Sequence, residues 1–346
     1  MFIECSSREN NLLIHINFQV TQHEPVWLDL EGTVQKTIKI TKEAAQKGAK
    51  LVAFPECWIP GYPAWIWNRP VDFELGVKYV QNCLKIDSPE MKRIQAAAAE
   101  NQISVALGFS ERDGESVYIA QALIDEAGEI KMTRRKMKPT HMERTIFGDA
   151  SGQCLAKVVD VPEVGKVGSL SCWEHIQPLL KYYTFSQGEQ IHIGAWPPLD
   201  PFIDGSPGFY SMSVEGCRNQ SLAYAMESQS FVLHATTVLS ETGIEQMKTA
   251  GTPIMGHAIE GSSAVIGPDG RILSAPTNPN EQLIIADLDL SLVTKNKTFA
   301  DASGHCKSLL SSWTSDVVLT SVTDSRPDLM WLGVDDKHKL VVRAET

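Results

Sequence analysis

Three stretches of the chain hold a carboxylate, an amine and a thiol, the group types that covalent attack on a weak electrophile requires. In LVAFPECWIPGYP an apolar run leads through Pro55 to Glu56; in RRKMKPTHMERTIFGD stand Lys136 and Glu143; in VGSLSCWEH small residues precede Cys172. A thiolate is the strongest side-chain nucleophile near neutral pH. A carboxylate beside apolar strands can have its pKa raised into the working range and act as general base, then acid. An ammonium, aided by a backbone N–H such as that of Trp173, can hold the negative charge that develops.

Taken singly, each residue has an ordinary reading. Glu56 could be a solvated loop carboxylate, and Arg134, Arg135, Lys136 and Lys138 could form an exposed basic run. Cys172 could be a small core hydrophobe. Glu174 and His175 follow Cys172 too closely to converge on a metal with it, because adjacent residues on a strand or turn point apart. There is no HExxH or paired CxxC, so no metal is expected. The aromatics Trp58, Tyr62, Trp65, Trp67 and Trp196 are either walls of an apolar pocket or core packing.

These groups must be delivered by regular elements. Residues 50–54, 103–109, 117–124, 167–171, 190–195 and 231–236 are short, apolar and β-branched, as buried strands are. Residues 31–47 carry apolar positions at helical spacing and end at Gly48, a suitable C-cap, and residues 89–101 and 209–228 look alike. Near the C-terminus, residues 262–266, 271–274 and 283–288 are strand-like, and Gly267-Pro268-Asp269-Gly270 makes a hairpin of the first two. No linker or repeat divides the chain, which points to one α/β domain.

The 346 residues are 43% hydrophobic and 21% charged, enough for a sizeable core. A formal charge of −11 argues against nucleic acid or an anionic membrane as partner. Seven scattered cysteines suit a reducing compartment. With neither a membrane-length apolar run nor a signal-peptide start, the expected location is cytoplasmic.

In combination, FPECWIPGYP, RRKMKPTHMER and SCWEHIQPLLKYY resemble the nitrilase superfamily of carbon–nitrogen hydrolases, and within it the nitrilase branch, most of all fungal nitrilases and cyanide hydratases. The resemblance runs from Val20 to His305 and resumes at Arg326. It implies a four-layer αββα sandwich, Cys172 as nucleophile, Glu56 as base, Lys136 as the cation for developing charge, and Glu143 orienting the lysine or the substrate. It further implies His175 near a small-molecule nitrile, no cofactor, and a homo-oligomer whose dimers extend into spirals or filaments; Trp173, Tyr62 and Trp196 are expected around the same ligand because they lie next to the motifs. The aromatics and the WPPLDPF segment favour hydrolysis of an aromatic or arylacetic nitrile to acid and ammonia, with some amide. The alternatives are hydration of hydrogen cyanide to formamide, or an inactive scaffold relative.

The resemblance assigns residues 20–305 to the hydrolase domain and 325–346 to a C-terminal tail. Residues 306–324 interrupt it. They can be back-translated with splice-donor, branch-point and acceptor sequences, and joining the flanks restores a tyrosine after His305. They are therefore expected to be a translated intron, the alternative being a tolerated surface insertion; a transcript encoding all of them would remove the idea. Phe18-Gln19 carries a weaker acceptor-like signal, which would impair the first strand.

Overall fold

A computed structural model describes residues 15–303 except Ser206. Residues 1–14, the 306–324 interruption and the 325–346 tail lie outside the described residues.

The first sheet contains β1 (His15–Gln22), β2 (Leu51–Ala53), β3 (Ser104–Asp113), β4 (Ser116–Ile124), β5 (Ile130–Arg135) and, late in the chain, β12 (Gln282–Asp289), in the order β12-β1-β2-β3-β4-β5. The second contains β6 (Val159–Val161), β7 (Gly165–Ser171), β8 (Ile191–Ala195), β9 (Phe231–Ala235), β10 (Ala264–Ile266) and β11 (Ile272–Ser274), in the order β11-β10-β9-β8-β7-β6. The central strands β1-β2-β3 and β7-β8-β9 are parallel. In a sheet of this kind, the carboxyl ends of parallel strands gather functional side chains.

Strand alternation explains the layering. In β2, Leu51 and Ala53 face Val167, Ile191, Ile193, Phe231 and Leu233 of the other sheet. Val52 and Phe54 face outward, against Val34 and Ile40 of α1 (Leu30–Gln46) and Met91 and Ile94 of α3 (Pro89–Asn101), with α2 (Phe73–Asn82) lying between those helices in the chain. On the far side, α4 (Pro178–Phe185) and α5 (Val214–Ser228) cover Leu170, Val232, Ala264 and Ile266. Two further α-helices are short, α6 (Glu241–Met247) and α7 (Ser291–Lys297). Helix, sheet, sheet, helix is the expected four-layer sandwich.

Local sequence sets the boundaries. Asp29 caps α1 through its side chain to the Gly32 N–H, and Ser88 caps α3 ahead of Pro89. The Gly267–Gly270 turn closes the β10-β11 hairpin. β1 is continuous across Phe18-Gln19, both fully buried. The stretch before Lys136 is not an exposed basic run: it is β5, half-buried and alternating, with Met132 and Arg134 inward and Lys136 buried just after it.

Candidate active site

Glu56 leaves β2 two residues after Phe54, whose N–H still pairs with the Ala106 carbonyl of β3. The backbone here lies directly on β3: a Cβ at Gly108 would sit 2.1 Å from the Pro55 carbonyl oxygen and 3.2 Å from the Glu56 Cα. Only glycine permits that approach. The Glu56 N–H then donates to the Trp196 carbonyl at the end of β8 (3.2 Å), which ties the ends of the two sheets together.

Lys136 follows β5, its own N–H donating to the Ile119 carbonyl of β4 at 2.7 Å. Its Nζ donates to Glu143 Oε2 at 2.8 Å and Glu56 Oε2 at 3.3 Å, and all three side chains are buried. Glu143 sits in a turn opened by Thr140, whose N–H it caps at 2.7 Å. Cys172 opens a second turn at the end of β7, in the left-handed backbone region at φ 50°. Its sulfur and carboxylate oxygens of Glu56 and Glu143 all lie within 4.8 Å of one another. Three such atoms could in principle attract a cation, but the Lys136 ammonium already holds both carboxylates. Thus the four residues read from the sequence meet at one place.

Burial dominates the electrostatics. It raises the Glu56 carboxyl to about 8, the nearby Lys136 ammonium opposing and Glu143 reinforcing the shift. Burial alone would lower Lys136, but Glu143 and Glu56 hold its ammonium well above the ordinary value. Burial also pushes the Cys172 thiol well up, with Lys136 pulling the other way. A neutral thiol beside a carboxyl near 8 becomes nucleophilic by passing its proton to the ionised form of that neighbour. Glu56 Oε1 is buried and accepts no hydrogen bond from any described residue.

The group opens on a cavity of about 500 Å³. Cys172, Glu143, Tyr62 and Trp173 are on its wall, with Trp67 and the Pro197–Phe202 stretch. The Tyr62 hydroxyl donates to Glu143 Oε1, and the Trp67 indole N–H donates to that hydroxyl, each at 3.1 Å. Of the four residues expected around the ligand, Tyr62 and Trp173 are therefore on the cavity, whereas His175 and Trp196 are not. Both pack behind Cys172, their rings stacked with centroids 4.9 Å apart. Trp58 and Trp65 are core residues.

One pair had no place in the sequence reading. Arg134, far from joining an exposed run, is buried and makes a two-pronged bond to Glu174 at 2.7 and 2.8 Å. Glu174 also accepts the Ser171 and Met137 N–H groups, both at 2.9 Å. It thereby clamps the turn that begins with Cys172 to the strand that leads into Lys136. Burial would raise its pKa, but Arg134 and those N–H groups hold it below the ordinary value.

Residues 19–298 match the carbon-nitrogen hydrolase family model. The chain belongs to that family. This carbon-nitrogen hydrolase is 55% identical over 330 residues to an arylacetonitrilase of Aspergillus kawachii, covering 95% of this chain and 94% of that protein. An arylacetonitrilase of Hypocrea virens is 52% identical over 331 residues, covering 95% and 94%. Among solved structures, the hydrolase superposes on a carbon-nitrogen hydrolase from Helicobacter pylori G27 with TM-score 0.65 at 19% identity, covering 82% of this chain and 92% of that one. A mutant amidase from Nesterenkonia sp. AN1, carrying acrylamide on its active-site cysteine, gives 0.61 at 18%, covering 82% and 98%. At such identities these two likenesses speak for the fold. Among the described residues no helix is long and apolar enough to cross a membrane.

Proposed function

We propose that this hydrolase converts an aromatic or arylacetic nitrile to the carboxylic acid and ammonia through a covalent intermediate on Cys172. The observation that carries the reading is the meeting of the Cys172 sulfur with Glu56, Lys136 and Glu143 at the wall of an apolar cavity. Its volume of about 500 Å³ suits an aryl ring with its side arm, whereas hydrogen cyanide would leave almost all of it unfilled. The arylacetonitrilase relatives support the same choice.

Glu56 takes the thiol proton as sulfur adds to the nitrile carbon, giving a thioimidate. Lys136, with the Trp173 N–H, holds the charge that appears on nitrogen. Glu143 fixes Lys136, and Tyr62 fixes Glu143. Glu56 passes that proton to the nitrogen, and the carboxylate so regenerated deprotonates the water that adds to the thioimidate. Loss of ammonia leaves a thioester that a second water hydrolyses, so one nitrile and two waters give one acid and one ammonia. Expulsion of the thiolate before ammonia leaves releases the amide instead, as a minor product.

We assign the protein to the cytoplasm on its scattered free thiols. We assign it a homo-oligomeric state because Ile176, Leu179 and Met226 stand exposed around the α4–α5 face. The test is one incubation with phenylacetonitrile, an aliphatic nitrile, cyanide and the matching amides, with ammonia, acid and amide quantified. The aryl substrate should turn over fastest and Cys172→Ala should abolish turnover; preference for cyanide, or activity in the alanine variant, refutes the reading.

A further inference from the structure

Behind the nucleophile runs a file of buried groups that the proposed mechanism leaves unused. His175 Nδ1 lies 2.6 Å from the Cys172 carbonyl oxygen, His175 Nε2 lies 3.0 Å from His192 Nε2, and His192 Nδ1 lies 2.7 Å from Glu189 Oε1. The Tyr224 hydroxyl donates to the other Glu189 oxygen at 2.6 Å. All four side chains are buried, and stacking fixes both imidazoles, His175 on Trp196 and His192 on Tyr224.

Proton counting fixes the hydrogen-bond direction. A carbonyl oxygen only accepts, so His175 must carry its proton on Nδ1. Burial drives the His175 imidazole well below its ordinary pKa, with His192 adding to the effect, so the ring is neutral and its Nε2 is an acceptor. His192 Nε2 must then bear a proton and donate. One further proton lies between His192 Nδ1 and Glu189, whichever of the two holds it. Three gaps hold three protons, the trio of side chains is neutral overall, and the two hydrogen bonds nearest the nucleophile are both donated toward Cys172.

We propose that His175, backed by His192 and Glu189, is a positioning residue that holds the carbonyl of the nucleophile. Two consequences follow. The bond anchors Cys172 in its left-handed conformation (φ 50°), a backbone state that a residue with a Cβ adopts only under restraint. It also polarises the peptide between Cys172 and Trp173, making the Trp173 N–H a stronger donor to the anionic intermediate. Gly194 on β8 makes room for the arrangement: a Cβ there would stand 3.4 Å from His175 Nε2 and 3.3 Å from Trp196 Nε1.

The proposal rests on Cys172 as nucleophile, and its test separates the two. Asn and Leu have nearly the same shape, but only Asn can place an N–H where Nδ1 stood. His175→Asn should therefore keep a kcat roughly tenfold or more above His175→Leu, the worth of one hydrogen bond. KM should stay within about twofold, since His175 is off the cavity wall. Equal kcat in both variants, or a loss confined to KM, overturns the positioning role while leaving the nucleophile intact; turnover by Cys172→Ala overturns both. Nitrogen NMR of histidine-labelled wild type, which requires no variant to fold, should show His175 protonated at Nδ1 and bare at Nε2. The opposite tautomer, with Nδ1 bare, refutes the proposal.

Discussion

Over the first sheet, α1 and α3 bury Val34, Ile40, Ala44, Met91 and Ile94 against Val52, Phe54, Val105 and Leu107. Over the second, α5 covers apolar residues too but also presents Tyr224 and Ser221 to polar groups, Tyr224 to Glu189 and His192, and Ser221 to His234 at 2.8 Å. The apolar layer fastens a helix to a sheet and is indifferent to small shifts, because dispersion and burial have no direction. The polar layer is directional: each bond there fixes an angle, and the file ends at the turn that bears the nucleophile. Glu56 emerges on the apolar side, where desolvation raises its pKa. Cys172 emerges on the polar side, where hydrogen bonds hold a strained backbone.

Polar and apolar fixation differ most visibly at Arg134, on the inward face of β5. Arg134→Met leaves the Glu174 carboxylate buried without its counter-ion and should destabilise the fold by about 3–5 kcal/mol, with loss of activity in whatever folds. Ile94→Ala in the apolar layer should destabilise by about 2–5 kcal/mol through its cavity, yet leave kcat per folded molecule unchanged. Denaturant unfolding and active-site-titrated kinetics on both variants check this. An Ile94→Ala protein of normal stability but low kcat would reverse the assignment of the two layers.

The sandwich was legible because its central strands are short apolar runs bounded by turn residues, and because α1 and α3 carry both helical spacing and caps. β5 was harder, since in IKMTRR inward and outward positions alternate and the inward ones include a cation. Residue type alone assigns Arg134 to solvent; only Glu174, forty residues away in the chain, explains its burial. That partner did leave a local trace. Thr140-His-Met-Glu143 and Ser171-Cys-Trp-Glu174 share the capping-box spacing, which marks two turns, each started by a hydroxyl residue and closed by its own glutamate. His175 and Trp196 resisted sequence reading for another reason. Proximity to a motif in the chain does not say whether a side chain faces the cavity or the layer behind it.

The two sides also differ in how they answer to pH. With its carboxyl at about 8, Glu56 is protonated below that value and cannot accept the thiol proton. kcat/KM should therefore fall about tenfold per unit as pH drops below 8 and level off above it. The sign for stability is opposite. The native state holds the Glu56 proton more tightly than the unfolded chain does, so this contribution is fully present below 4.5 and is lost as pH rises toward 8. Glu56→Gln should remove the kinetic limb along with most of the activity. A limb of unchanged position in its residual rate would assign the ionisation to another group.

The finest test isolates one oxygen. Tyr224→Phe keeps the ring that stacks on His192 with centroids 3.7 Å apart and removes only the hydroxyl that donates to Glu189 at 2.6 Å. Losing a hydrogen bond to that buried acid should lower stability by roughly 1.5 kcal/mol. If the polar layer sets the geometry of the Cys172 turn, kcat should also fall a few-fold, because Glu189 is freed to shift and His192 with it. The matched change in the apolar layer, Ile40→Val, should lower stability by about 0.5–1.5 kcal/mol with kcat unchanged. The two variants are thus nearly equal in stability and differ in turnover. Should Tyr224→Phe lose stability alone, the hydrogen bonds under α5 would be fastening of the same kind as the methyl groups under α1, and only the bond from His175 to the Cys172 carbonyl would remain to distinguish the two layers.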